Sequence, residues 1–373
     1  MENHLLFKEE SVRGRYVTLG HLTEVWSKKI PSEFFDVLGT SVKGREIFSL
    51  TLGEGKKKIL LWSQMHGNES TTTKAVLDLV NFLISDDVLA KEIMKNCLLC
   101  IVPILNPDGA DAYTRLNANT VDLNRDAKDR SQPETRLLWT LFELFNPDFC
   151  FNLHDQRTLF SAGTEKQEAT VSFLSPSSDM ERKITPSRSM AMRLIVGLNQ
   201  HLQTYIPKKV GRYDDTFNPN CVGDAFQMEK VPTLLFEAGH YPNDYQREST
   251  RTLIWVALKR ALLIISRDSI GHFDESLYFS IPENAKMFYD VLIKNGAVLN
   301  PNIALGDSIG IRFEEVLVAG KIQFIPKVEK VGRLTDFFGH IEYDCAKAED
   351  FKSISAQKEI VDCIVTLSKN NDT

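Results

Sequence analysis

The sequence lacks a long hydrophobic run. Its longest uninterrupted apolar stretch, Cys97 to Leu105, has nine residues and contains a proline, whereas a membrane-spanning helix needs about 20 apolar residues. Residues 1–15 contain no apolar segment of the length that a secretory signal requires. We therefore predict a protein that does not bind membranes and that resides in the cytoplasm.

An excess of positive charge is also missing. The chain has 44 Lys and Arg against 50 Asp and Glu, which gives a net charge of −6. Nucleic-acid recognition depends on clustered lysines and arginines, and the one basic run, Lys56 to Lys58, is short. The composition therefore predicts no nucleic-acid partner.

Two further absences concern reactive side chains. The six cysteines are scattered without a disulfide framework, which is typical of a reducing compartment. Cys97 and Cys100 form a single CxxC inside an apolar run, so we predict that they pack in the core and do not bind a metal. No GxSxG segment occurs, which argues against a serine hydrolase.

Apolar strand-like runs alternate with amphipathic helical segments along residues 59–266. This alternation predicts an α/β/α sandwich around a mixed, mostly parallel twisted sheet. The predicted strands are 59–64, 97–105, 148–153 and 233–236, and the predicted helices begin near Ser70 and cover 133–145, 189–201 and 249–266.

The pattern changes after Gly271. Short alternating runs at 309–313 and 321–325 predict strands, and the segment 282–294 predicts a helix. We therefore predict a large domain over residues 1–270 and a small α+β domain over residues 271–373, with a frayed end at 367–373. Nothing in the second domain suggests catalysis.

Polar residues follow four of the apolar runs, at His66, Asn106, His154 and Glu237. Ligands of open α/β sheets bind beyond the carboxyl ends of the strands. These side chains are therefore predicted to share one cleft.

Two of these positions suggest a metal site. His66 and Glu69 stand three residues apart in His-Gly-Asn-Glu, where Gly67 frees the backbone to turn. His154 would complete a His₂Glu set, which in zinc hydrolases leaves a fourth position for water. The His66–Glu69 spacing alone fits equally a pair of solvated loop residues.

Two other segments carry charges suited to hydrolysis. Arg125 follows an Asn in Val-Asp-Leu-Asn-Arg, and arginine is the natural bidentate partner of a carboxylate. Glu237 ends the apolar run Leu234 to Phe236, where burial can raise its pKa and make it a base near neutral pH. Each residue alone also fits an ordinary surface charge.

Six motifs together resemble the zinc metallocarboxypeptidases of the carboxypeptidase A type, in the same order and with similar spacing across residues 40–240. The motifs are HGNE at 66–69, NPDG at 106–109, Arg115, NANTVDLNRD at 117–126, LHD at 153–155 and FEAG at 236–239.

The resemblance implies one zinc ion per chain, bound by His66, Glu69 and His154 in a catalytic domain over residues 1–270. Arg115 would polarise the scissile carbonyl and hold the oxyanion, and Glu237 would serve as general base and then as proton donor. The residues implied to bind substrate are Asn124 and Arg125 on the terminal carboxylate and Tyr213 as the capping tyrosine, with the pocket floor near 221–224.

The implied substrate is a peptide or an acylated amino acid with a free carboxylate. Three alternatives stay open at this stage. They are an N-acyl amino acid deacylase similar to aspartoacylase or succinylglutamate desuccinylase, an amidase of cell-wall peptides, and a non-catalytic peptide-binding scaffold.

Overall fold

The computed structural model describes residues 3–367. The strands are β1 (Phe35–Thr40), β2 (Glu46–Leu52), β3 (Lys57–Ser63), β4 (Cys97–Val102), β5 (Phe149–Asp155), β6 (Phe160–Ala162), β7 (Val171–Leu174), β8 (Val210–Arg212), β9 (Thr233–Ala238), β10 (Asn284–Lys286), β11 (Phe288–Lys294), β12 (Ser308–Val318), β13 (Lys321–Gly332) and β14 (Phe338–Asp344). The helices are α1 (Leu19–His21), α2 (Thr71–Leu83), α3 (Val88–Asn96), α4 (Pro107–Ala112), α5 (Pro133–Phe145), α6 (Pro186–Leu202), α7 (Val222–Met228), α8 (Glu248–Ser266), α9 (Ala348–Ser355) and α10 (Lys358–Val365). Short 3-10 or π turns lie at His4–Leu6, Leu22–Trp26, Ser27–Lys29, Ser32–Phe34, Leu123–Arg125, Ile270–His272, Glu275–Ser280 and Gly296–Val298.

The main sheet has eight strands in the order β1-β2-β4-β3-β5-β9-β7-β8. Its centre, β4-β3-β5-β9, is parallel, and antiparallel pairings join β2 to β4 and β7 to β9. The carboxyl ends of β3, β5 and β9 therefore meet at one edge of the sheet. In residues 3–367, no helix is long and apolar enough to cross a bilayer.

Both faces of this sheet are covered by helices. Along β3, Ile59 and Leu61 pack into a core with α2, α3, α6 and α8, while Leu60 and Trp62 pack on the opposite side against α5 and α7. Because successive strand residues point to opposite faces, a strand buried on both sides appears as a continuous apolar run. The predicted α/β/α sandwich with a mixed, mostly parallel sheet is confirmed.

The C-terminal part forms a four-stranded sheet in the order β13-β12-β11-β14, flanked by α9 and α10. The helix predicted over 282–294 is wrong, because this segment forms β10 and β11. Six consecutive buried residues in β11 reflect a central strand between β12 and β14, and periodicity alone does not distinguish such a run from a buried helix.

The division at residue 270 stays a prediction. Tyr278 and Ile281 still belong to the main core. Strand β10 pairs with β6 in a separate two-stranded sheet, so the segment after α8 is joined to the large domain before the four-stranded sheet begins. From residue 368 onward, the predicted frayed end lies outside the described residues.

The N-terminal segment is fixed to the main core by a buried ion pair. Arg251 and Asp78 are both fully buried, with Nη2 and Oδ1 2.6 Å apart. Asp78 also accepts a hydrogen bond from the backbone amide of Glu9, and Arg251 donates to the carbonyl oxygens of Glu9 and Val12. A buried charge is tolerated when it is paired and hydrogen-bonded, and this pair anchors the chain leading to Arg15.

Candidate metal centre

The loop after β3 is shaped by close backbone packing. A Cβ atom on Gly67 would lie 1.9 Å from the carbonyl carbon of Gly109, so only glycine fits where the two loops touch. Asn106 fixes the second loop, because its side chain donates to the carbonyl of Met65 and accepts from the amide of Gly109. Asn106 thus supports the loop that carries His66.

His66, Glu69 and His154 converge at the carboxyl edge of the sheet. Their ligand atoms lie within 4.8 Å of one another, and over residues 3–367 they form the one such group of three. His66 Nδ1 is 2.8 Å from Glu69 Oε1, and His154 Nδ1 is 2.9 Å from Glu69 Oε2 and 3.1 Å from His66 Nδ1. All three side chains are nearly buried.

This arrangement fits zinc. Nitrogen ligands about 2.0–2.1 Å from a tetrahedral zinc stand about 3.3 Å apart, close to the separations seen here. The second nitrogen of His66, Nε2, is 3.0 Å from Asp122 Oδ1, and zinc-binding histidines commonly donate their other nitrogen to a carboxylate. The buried Nε2 of His154 has no hydrogen-bond partner.

Asp122 orients two residues of the site. Besides contacting His66, it accepts a hydrogen bond from Arg115 Nε at 3.0 Å and one from the backbone amide of Asn124 at 2.9 Å. Burial disfavours its charge, but His66 and Arg115 outweigh this effect and hold the pKa of Asp122 well below its usual range. The carboxylate is therefore ionised and fixes the His66 ring.

Replacing Asp122 with asparagine is expected to weaken zinc binding by about 10–100-fold, the usual cost of losing a partner of a metal-binding histidine. Competition with a chromophoric chelator measures the affinity. Asp129→Asn, an exposed substitution in the same loop region, is the control and should leave it unchanged. Equal affinities for the Asp122 variant and the control would contradict this role.

Glu237 lies beside the metal-binding group on the neighbouring strand. Its Cα is paired with that of His154 across β5 and β9, its side chain is nearly buried, and its Oε2 has no hydrogen-bond partner. Burial raises the pKa of Glu237 well above its ordinary value, and the charges of Glu69 and Asp155 add to the shift. An upward shift is the direction expected of a carboxyl group that serves as a general acid–base.

Arg115 lies at the mouth of the site. Its Nη1 is 3.1 Å from Glu69 Oε1 and its Nε is 3.0 Å from Asp122 Oδ2, while its side chain remains 44% exposed. Two carboxylates thus fix the guanidinium next to the metal ligands, with one edge toward solvent.

Asn124 and Arg125 lie in the short turn that follows Asp122. Asn124 Oδ1 accepts a hydrogen bond from the backbone amide of Val222 at 3.1 Å. Arg125 is exposed, and its Nη1 donates to the carbonyl of Asn124 at 2.8 Å. The two side chains are held near the start of α7.

The segment 221–224, predicted as the pocket floor, lies close to these residues. Burial raises the pKa of the Cys221 thiol to about 11, with opposing contributions from Arg125 and Asp224. Burial also raises the pKa of Asp224 to about 7. The predicted floor therefore contains a carboxyl group whose pKa is raised toward neutrality.

Tyr213 follows β8 and approaches the same site. Burial, with the negative charges of Glu237 and Glu69, raises the pKa of its phenol, which keeps the hydroxyl protonated. Its ring contacts Phe160 edge to face, with centroids 5.4 Å apart. His66, Glu69, His154, Glu237 and Arg115 thus lie together at the carboxyl ends of β3, β5 and β9. Asn124 is joined to them through Asp122, and the exposed Arg125 follows it in the turn.

Sequence reasoning missed two carboxylates that build the site. Asp122 lies within the recognised motif but was given no role, and Asp155 accepts hydrogen bonds from the backbone amides of Thr71 and Thr72. The backbone amide of Asp155 also donates to Glu69. The available signal was their position in the sequence, two residues before Asn124 and directly after His154.

Comparisons with known proteins agree with this geometry. A family model described as zinc carboxypeptidase matches residues 27–139. The chain is 30% identical over 165 residues to carboxypeptidase SOL1 of Arabidopsis thaliana, covering 37% of this chain and 34% of that protein. It is 29% identical over 126 residues to cytosolic carboxypeptidase 6 of Mus musculus, covering 31% and 23%. The matches thus span about a third or less of these relatives.

Solved structures share the fold. A metallo-carboxypeptidase from Burkholderia cenocepacia aligns with a TM-score of 0.52 at 21% identity, over 63% of this chain and 64% of that one. Carboxypeptidase A from Helicoverpa armigera aligns with a TM-score of 0.54 at 16% identity, over 68% and 74%. The predicted resemblance to the zinc carboxypeptidases is confirmed by the family model and the relatives, and the solved structures show a shared fold.

Proposed function

We propose that the protein is a zinc-dependent metallocarboxypeptidase that binds one zinc ion per chain and hydrolyses the C-terminal peptide or peptide-like amide bond of its substrate. The observation that carries this proposal is the convergence of His66, Glu69 and His154, with the buried Glu237 on the adjacent strand. A cytoplasmic location stays a prediction from the sequence.

The proposed reaction uses a small set of side chains. Bound zinc supplies a Lewis acid and makes a water nucleophilic near neutral pH. Glu237 takes a proton from the attacking water and returns it to the leaving amine. Arg115, fixed by Glu69 and Asp122, stabilises the oxyanion, where one preorganised donor typically contributes about 10²–10³ in rate.

Asn124 and Arg125 are proposed to bind the terminal carboxylate. Because Asn124 Oδ1 already accepts from Val222, its NH₂ group remains as a donor. Arg125 is exposed and adds a guanidinium that suits a carboxylate. Tyr213, whose hydroxyl stays protonated, would close over the terminal residue.

Replacing Arg125 with alanine is expected to lower kcat/KM by about 10²-fold for substrates with a free terminal carboxylate, because a hydrogen bond to a charged group contributes about 1.5–3 kcal/mol. The same peptides with an amidated terminus should be nearly unaffected. The matched control is Arg333→Ala, whose side chain is 75% exposed in the C-terminal part. Equal losses on free and amidated substrates would exclude this role.

An N-acyl amino acid deacylase is the second candidate, and one observation favours it. Strands β12 and β13 border the cavity beside Glu69 and Arg115, which restricts space next to the metal ligands. Comparing an acetylated amino acid with a tetrapeptide of the same terminal residue separates the two. Faster hydrolysis of the acetylated amino acid would favour the deacylase.

A further inference from the structure

A cavity of about 590 Å³ opens beside the metal centre, between the main domain and the C-terminal sheet. Its volume lies in the range of about 300–1,000 Å³ that is usual for small-molecule sites. Glu69 and Arg115 border it on one side, and Phe313 and Lys327 of the β12–β13 hairpin border it on the other. The C-terminal segment, which had no predicted role, thus forms a wall of the site.

The cavity lies on one side of the proposed reaction centre. Asn124, Arg125 and Asp224, the residues on the terminal-carboxylate side, are not among its lining residues. If Arg125 binds the terminal residue, the cavity receives the group on the other side of the scissile bond. We call it the acyl-side cavity. Its assignment to the acyl side rests on the proposed function.

Most acidic groups that line the acyl-side cavity already have partners. The pairs are Glu315 with Arg15, Glu329 with Arg312, Asp290 with the hydroxyl of Tyr245, and Asp155 with the amides of Thr71 and Thr72.

Several cationic groups that line the same cavity have donors without an acceptor. The side chains of Arg157 and Lys327 are exposed, and among the described residues neither makes a hydrogen bond or a close ion pair. Glu315 attracts Arg157 only at longer range. Arg15 is nearly buried, and its Nε and Nη1 lack partners, as does Nη1 of Arg312. Among the described residues, Glu314 is the one carboxylate lining the cavity that has no hydrogen-bond or ion-pair partner.

We propose that the acyl-side cavity recognises a carboxylate on the acyl side of the scissile bond, through Arg157 and Lys327, with Arg15 and Arg312 behind them. Two kinds of substrate can supply this carboxylate. One is a peptide with an acidic residue before the scissile bond, and the other is an amino acid that carries a dicarboxylic acyl group. The β12–β13 hairpin then determines substrate specificity, because Lys327 and Arg312 come from it.

The test compares acetyl-Glu, acetyl-Gln, acetyl-Lys and succinyl groups joined to one common terminal residue. The double variant Arg157→Gln/Lys327→Gln should lower kcat/KM about tenfold for the acetyl-Glu or succinyl substrate, as expected for two partly exposed charge pairs. The acetyl-Gln substrate should change less than about twofold. A higher kcat/KM for the acetyl-Glu substrate indicates a peptide substrate, and a higher kcat/KM for the succinyl substrate indicates a dicarboxylic acyl group.

Two single variants are controls. Lys321→Gln removes an exposed lysine from the same strand, away from the cavity, and should change nothing. Glu314→Gln removes the opposing charge and should improve the acetyl-Glu substrate. Equal losses on acetyl-Glu and acetyl-Gln, or a preference for acetyl-Lys, would overturn the proposal.

Equilibrium binding separates this proposal from the proposed function. Calorimetry with the Glu237→Gln protein measures the affinity for the intact acetyl-Glu and acetyl-Gln compounds without turnover. Tighter binding of acetyl-Glu that is lost with Arg157→Gln/Lys327→Gln supports the carboxylate site even if no bond is hydrolysed. Equal binding of both compounds overturns it, whatever the catalytic result.

Discussion

Replacing Glu237 with glutamine is expected to lower kcat by about 10²–10⁴-fold, the usual contribution of a general acid–base group, while zinc binding is retained. Glutamine preserves the size of the side chain but cannot take a proton from water. Glu237 Oε2 has no hydrogen-bond partner, and its Cα pairs with that of the metal ligand His154, so the carboxyl group is available at the reaction centre.

Steady-state kinetics with zinc-loaded protein measure this effect. Glu229→Gln, at the exposed end of α7, is a matched control and should keep full activity. Loss of an acid–base group should leave no more than about a hundredth of the activity. If the Glu237 variant retained more than about a tenth, another residue would be the base.

Replacing His154 with alanine is expected to weaken zinc binding by more than about 100-fold and to abolish hydrolysis. Loss of a group that only hydrogen-bonds a metal ligand already lowers metal affinity about 10–100-fold. Removal of the ligand itself should lower the affinity more. His154 Nδ1 lies 2.9 Å from Glu69 Oε2 and 3.1 Å from His66 Nδ1, so its absence leaves two of three ligands.

Metal content after dialysis, with circular dichroism as a check on folding, measures this result. Glu69→Gln removes a charged ligand with little change in volume and should behave in the same way, whereas His272→Ala, at an exposed position, should bind zinc normally. Retention of one zinc by both ligand variants would show that the metal binds elsewhere.

The strands and helices that carry the site could be predicted because their local patterns are strong. Helix α5 begins at Pro133 and ends at Phe145, as predicted, since proline is favoured in the first turn of a helix. The strands ending near His66, His154 and Glu237 were recognisable as apolar runs followed by a polar residue.

Contacts between distant segments could not be predicted in this way. The cavity brings Glu69 and Arg115 together with Phe313 and Lys327, about two hundred positions later in the chain, and no local pattern encodes such a pairing. The error at β11 has a related cause. Its apolar run is buried by neighbours on both edges and both faces, which only the assembled sheet reveals.

The most direct test of zinc-dependent carboxypeptidase activity is to measure zinc by elemental analysis of the purified protein, together with release of free amino acids from a mixed peptide library. We expect about one zinc per chain, as for the His₂Glu class of hydrolases, with single residues released from the C-termini. Absence of bound zinc after reconstitution, with no amino acid released, would contradict it.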